Sequence, residues 1–177
     1  MVYQKFDEID WVTPDTKEFA YYWRSLDRDR VVPRHSSIDP TRISPLLPGI
    51  AIYEVRSRDE IVYRLAGTAL VDHFGMEVTG KNFLDFWEGE RREVVVDAIF
   101  DCISKPCGMF TKLQGISQKG RVETSVAVGF PLLDEDENCN RMVFYSTGFD
   151  RGSSRIPKED KIKSLRADQS FFIYLYA

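Results

Sequence analysis

At 177 residues, 43% hydrophobic and 13% aromatic, the chain has the length of one ordinary domain and enough apolar side chains to fill its core. A formal charge of −4 argues against nucleic acid as the main partner, because neutralising phosphates takes clustered Lys and Arg. Three cysteines without a CxxC spacing speak against a disulfide framework and set a reducing cytoplasm as the expected compartment.

The opening MVYQKFDEIDW is acidic and lacks the apolar run of a signal peptide, and no stretch reaches the ~20 apolar residues of a membrane span. Residues 1–13 read as a lead-in, 14–150 as the folded domain and 151–177 as a tail. Pro14 and Asp15 open a helix, with proline in its first turn. Phe19, Tyr22, Trp23 and Leu26 recur at helical spacing and make one apolar stripe. The stripe either packs on the domain's own sheet or forms the seam of a homodimer, which is the expected assembly. Arg24–Arg34 alternates with Asp27 and Asp29 and reads as a solvated helix end. In the proline-punctuated stretch that follows, Asp39 caps a short helix over Thr41–Leu47, with Pro40 at its first position. Arg34 and Asp39 read as a structural ion pair in preference to ligand contacts.

Strands are expected over Ile50–Arg56 and Glu60–Ala66, joined by a charged turn at Arg58-Asp59. Gly67 then frees the backbone, Thr68 caps a helix over Ala69–Phe74, and Gly75 ends it. Gly80 breaks the chain before the aromatic cluster Phe83, Phe86 and Trp87. A long helix over Glu90–Ser104 turns Val94, Val95, Ala98, Ile99, Cys102 and Ile103 inward. Three strands follow, Met109–Ser117, Arg121–Leu132 and Arg141–Asp150, the last bending at Gly148. Arg121–Leu132 has the clearest alternation, with Val122, Thr124, Val126, Val128 and Phe130 on one face. The loop Asp134–Asn140 reads as acidic and exposed. Gly152–Ser170 reads as a polar linker, before a terminal SFFIYLYA that must dock on its own sheet, on a neighbour's strand edge or in a dimer seam.

Strands with helices gathered between them define an α+β fold with helices on one face of the sheet. The pieces Tyr22-Trp23, Pro33, Arg34, Ile38-Asp39-Pro40, Leu46-Leu47-Pro48, Tyr63–Leu70, Phe74-Gly75 and Thr79-Gly80 resemble the PAS-like family of small, often stand-alone bacterial proteins, over about Lys17–Phe149. The resemblance implies a PAS fold: a five-stranded antiparallel sheet, helices enclosing a pocket on one face, and an N-terminal helix through which many members dimerise. It also implies a sensory or interaction role in signal transduction.

The expected function is therefore a non-catalytic sensory or regulatory module that binds a small molecule or a signalling partner. The candidate ligand residues are Arg64, Thr68, His73, Phe83, Phe86 and Trp87. Arg64 either clamps an anionic ligand from the pocket face or pairs with Asp39 or Glu54 on the outer face. Thr68 is a helix cap or a ligand donor. Phe83, Phe86 and Trp87 form core and pocket wall together. His73 reads first as a surface or half-buried histidine and second as a haem ligand, although the long helix where such a ligand is expected carries no histidine. No cysteine lies between Gly67 and Arg92, where a flavin photosensor would need one. The identity of any cofactor is open. The third reading, a lyase or isomerase, fares worst: Asp72 and His73 are neighbours that point apart on a helix, and no acid/base pair is spaced to work together.

Overall fold

The computed structural model of the chain describes residues 2–27, 29–147 and 159–175. Among these residues seven strands, β1 (Val2–Lys5), β2 (Ile50–Val55), β3 (Ile61–Ala66), β4 (Gly108–Ser117), β5 (Val122–Leu133), β6 (Cys139–Thr147) and β7 (Ile162–Tyr174), form one sheet. Their order is β1-β7-β4-β5-β6-β2-β3, and every pairing is antiparallel except β1 with β7. The architecture is thus the expected α+β class with an antiparallel-dominated sheet, but it has seven strands where five were expected. The two additional strands come from the segments read as lead-in and tail. Strand β7 pairs along the whole of β4, with bulges at Lys112/Leu113 and Ile116/Ser117. Each bulge inserts a residue and resets which side chains face the core, so the segment KSLRADQS shows no steady alternation. The Gly148 bend, the end of the last expected strand and the start of the tail lie outside the described residues.

Helices cover both faces of the sheet, where one was expected. On one face lie α2 (Thr68–Phe74), the 3-10 turn Phe83–Phe86 and α3 (Glu90–Ser104), packed over Tyr53, Tyr63, Met109, Ala127, Phe144 and Phe172. The other face carries α1 (Pro14–Arg24) and the 3-10 segment Pro40–Gly49, packed over Phe110, Val128, Phe130, Val143 and Ile173. Strand β5 therefore buries both of its sides, with Val128, Phe130 and Leu132 towards α1.

The stripe on α1 is consumed by the domain's own sheet, which corrects the expected dimer seam. Thr13 caps the helix in a capping box with Thr16, and Pro14 occupies its first turn. Trp23 stacks on Phe130 with ring centres 4.6 Å apart, and its indole N–H donates to the Pro131 carbonyl at 3.2 Å. Phe19 meets both Phe130 and Tyr145. Tyr22 accepts from the Asp39 amide at 2.7 Å, tying α1 to the turn that follows. Phe19, Tyr22, Trp23 and Leu26 are all buried in the single chain, each worth on the order of 2 kcal/mol of transfer free energy.

Asp39 does cap the 3-10 segment, accepting from the Thr41 amide at 2.9 Å. It does not pair with Arg34, which reaches Glu137 instead. On α3 the inward face includes Val96 in place of Val94, which is 57% exposed. The loop after β5 is anchored rather than wholly exposed: buried Asp134 accepts from the amides of Asp136 and Asn138 and from the Asn140 side chain, each within 3 Å. No helix among the described residues is long and apolar enough to cross a membrane.

Candidate functional site

Between α3 and the sheet lies a cavity of about 230 Å³. Its floor explains its existence. Ser170 of β7, Thr111 of β4, Ala127 of β5 and Ser146 of β6 stand level with one another across four paired strands. All four are small, whereas the next level consists of Phe172, Met109, Gly129 and Phe144, where the Phe144 ring fills the space over the glycine. A row of small side chains under a helix leaves a space that neighbouring large side chains cannot collapse into. The roof is Glu90, Arg91, Val94, Val95, Ala98 and Ile99 of α3, and Tyr53, Phe83 and Trp87 close one end. Exposed Val94 and Arg91 mark the side on which the space meets solvent.

The lining is mostly apolar, with polar groups concentrated at the floor and mouth. The Thr111 and Ser170 hydroxyls lie 2.8 Å apart. A hydroxyl pair uses one of its two hydrogens internally, which leaves the other to be donated. Tyr53 is buried. Burial pushes its phenol pKa up, partly offset by its hydrogen bond with Tyr63, so it stays protonated. Trp87 is buried, and its indole N–H has no hydrogen-bond partner among the described residues.

Of the residues singled out from the sequence, Phe83 and Trp87 line the cavity. Phe86 lies behind them, 4.7 Å from Phe74 between ring centres. Arg64 does not reach the cavity. It is the extra residue of a bulge, since Ile52 pairs with Leu65 and Tyr53 with Tyr63. Its guanidinium bonds Glu54 at 2.6 Å, and Glu54 alternates along β2 with cavity-lining Tyr53, so the pair lies on the opposite face. Arg56 also holds Glu54, at 2.6 Å, and these bonds keep the carboxyl below its ordinary pKa. Thr68 is exposed and is the first residue of α2. Gly67 occupies the cap position, so the expected Thr68 cap is corrected.

His73 is neither surface nor half-buried. It is 7% exposed and its Nδ1 lies 2.7 Å from Glu123 of β5. Burial pushes its pKa down, and the Glu123 carboxylate opposes the shift. A Cβ added at Gly115 would come within 3.0 Å of His73 Nε2, so the histidine sits directly on the β4 backbone. Among the described residues there is no group of three or more His, Cys, Asp or Glu that could hold a metal.

The residues that escaped sequence reading are the floor and the roof. Thr111, Ser146 and Ser170 carry no motif. The available signal was the coincidence of small residues at one level of adjacent strands, visible only once the register is known. Ser170 and Ala167 lay in the segment read as linker.

The family model described as "PAS domain" matches residues 12–143, about three quarters of the chain, and the chain belongs to that family. No curated protein matches the chain. Among solved structures it is similar to the dark state of the blue-light photoreceptor Aureochrome1 LOV, at 17% identity and a TM-score of 0.46, covering 62% of this chain and 80% of that one. It is also similar to a light-oxygen-voltage domain studied with a flavin analogue, at 12% identity and a TM-score of 0.48, covering 63% and 84%. An RNA-binding light-oxygen-voltage receptor gives 15% identity and a TM-score of 0.46, covering 70% of this chain but 37% of that one. The flavin and RNA in those descriptions belong to those proteins, and likenesses at these scores carry no argument about a ligand here.

Proposed function

We propose that this PAS domain is a non-catalytic sensory or regulatory module, and that its ligand is a small, mainly apolar molecule bearing a hydrogen-bond acceptor. The observation that carries the proposal is the cavity floored by Ser170, Thr111, Ala127 and Ser146. An apolar enclosure with few polar groups is the usual form of a small-molecule site, and about 230 Å³ suits a compact molecule. The acceptor would take the spare hydroxyl hydrogen of the Thr111–Ser170 pair. Because α3 is the roof, occupancy would bear directly on that helix, through which the signal would pass to a partner.

The haem reading finds no support at His73. One ring nitrogen is engaged by Glu123 and the other rests against Gly115, so backbone stands where an iron would have to be. The lyase or isomerase reading gains nothing, since His73 bonds Glu123 and neither Asp72 nor His73 lines the cavity. A net charge of −4 supports leaving nucleic acid out of the proposed partners.

Native mass spectrometry of the purified protein, followed by denaturation, tests the proposal together with the variant Ala127→Leu. The added side chain grows from the centre of the floor into existing space, so the melting temperature should stay within a few degrees of wild type. Wild type should carry a non-protein mass, or gain melting temperature with small apolar carbonyl compounds, and the variant should do neither. If wild type shows neither effect, or if the filled variant binds equally well, the proposal fails.

A further inference from the structure

Cys102 and Cys107 stand apart from the cavity and have no part in the function proposed above. Cys102 lies in the last turn of α3 and Cys107 immediately precedes β4. Their sulfurs are 3.7 Å apart, and the Cys107 amide donates to the Cys102 carbonyl at 3.3 Å. The two backbones therefore already run as close as a disulfide requires, since bridged residues keep their Cα atoms about 4.4–6.8 Å apart. Closing the bond brings the sulfurs from 3.7 Å to ~2.0 Å. The Tyr3 hydroxyl of β1 lies 4.0 Å from the Cys107 sulfur. Tyr3 is half-buried on the outermost strand of the sheet, and Cys107 beside it is 3% exposed.

We propose that Cys102 and Cys107 form a redox-active dithiol, oxidised by hydroperoxides to a disulfide that joins the end of α3 to the start of β4. Cys107 is the attacking sulfur. Its contacts with the Cys102 thiol and the Tyr3 hydroxyl favour the thiolate, whereas the same contact and complete burial push Cys102 up. Cys139, 32 residues beyond Cys107 and the first residue of β6, is pushed up to about 11 by burial and is the poorer nucleophile. In the first step the Cys107 thiolate bonds to one peroxide oxygen and the O–O bond breaks. This leaves a sulfenic acid on Cys107 and a hydroxide, or alkoxide, that takes up the proton Cys107 gave up. In the second step the Cys102 sulfur attacks the Cys107 sulfur and displaces hydroxide, which leaves as water with the Cys102 proton. Two thiols are oxidised and one peroxide is reduced. The bridge spans only residues 102–107, so its consequence is local: it clamps the turn at Pro106 and with it the end of the cavity's roof helix.

The test is exposure of the reduced full-length protein to hydrogen peroxide, followed by alkylation and peptide mapping without reductant. The expected result is a loss of two hydrogens in intact mass and a Cys102–Cys107 cross-linked peptide, both reversed by dithiothreitol. The variant Cys102→Ser should instead collect a dimedone adduct at Cys107, because the sulfenic acid lacks its resolving thiol. Recovery of Cys102 and Cys107 as alkylated thiols under conditions that oxidise Cys139 would overturn the proposal, as would a disulfide that maps to Cys139. The wild-type map decides the matter even if the variant folds poorly.

Discussion

His73 and Glu123 meet beneath α2, each with a side chain less than a tenth exposed, and that burial makes stability depend on pH. The folded protein holds the His73 pKa below its ordinary value. The unfolded chain therefore binds the proton first as pH falls. The stabilisation is complete above the unfolded value of about 6.5 and is lost as pH drops through it towards the folded pKa. His35 is shifted the same way, by burial and then by Arg141, and adds to the same trend. The expected outcome is a melting temperature that falls on acidification below about pH 6.5, with a shallower fall in His73→Gln. Parallel curves for the two proteins would show that His73 does not titrate on unfolding. The residue type was visible in the sequence, but its partner was not, because Glu123 lies fifty positions away on a strand whose pairing only the fold determines. Arg64 was legible to the extent that Glu54 was one of two named partners. The choice between faces turned on a bulge that no residue type announces.

Most elements could be read from local chemistry. Gly75, at φ 67°, ends α2 where a left-handed cap was expected, Asp39 caps with Pro40 behind it, and α3 covers the residues its periodicity assigned. Strand β7 was the exception. Its first half is polar and twice bulged, and only the apolar end signalled that it had to be buried. That end supplies both cores at once: Phe172 packs towards the cavity side, while Phe171, Ile173 and Leu175 pack towards α1. Four such side chains at about 2 kcal/mol each are comparable with the whole stability of a domain, roughly 5–15 kcal/mol. Truncation after Ser170 should therefore abolish the cooperative thermal transition seen by circular dichroism. Phe172→Ala alone should cost about 3–5 kcal/mol in urea denaturation. A truncated protein that melts like the full chain would show that β7 contributes little.

For the molecule as a whole, the two helical layers make α1 part of the core rather than an arm reaching for a partner. Trp23, 1% exposed and stacked on Phe130, carries the distinction. Trp23→Ala should lower stability by about 3–5 kcal/mol, and the shift in melting temperature should not change with protein concentration. A seam residue would make the effect concentration-dependent, so melting curves over a hundredfold dilution separate the two. The parallel pairing of β1 with β7 has a further consequence, for the order in which the protein can be made. Among the described strands β1 comes before the other six in the sequence, yet its neighbour in the sheet is β7, which comes after them and also inserts beside β4. Until β7 is made, that edge of β4 stays unpaired, with Phe110 and Met109 waiting for Phe171 and Phe172. The nascent chain thus holds an open, apolar strand edge until β7 emerges. Closure of the sheet must then wait for β7, through contacts between strands far apart in the sequence, which are slow to form.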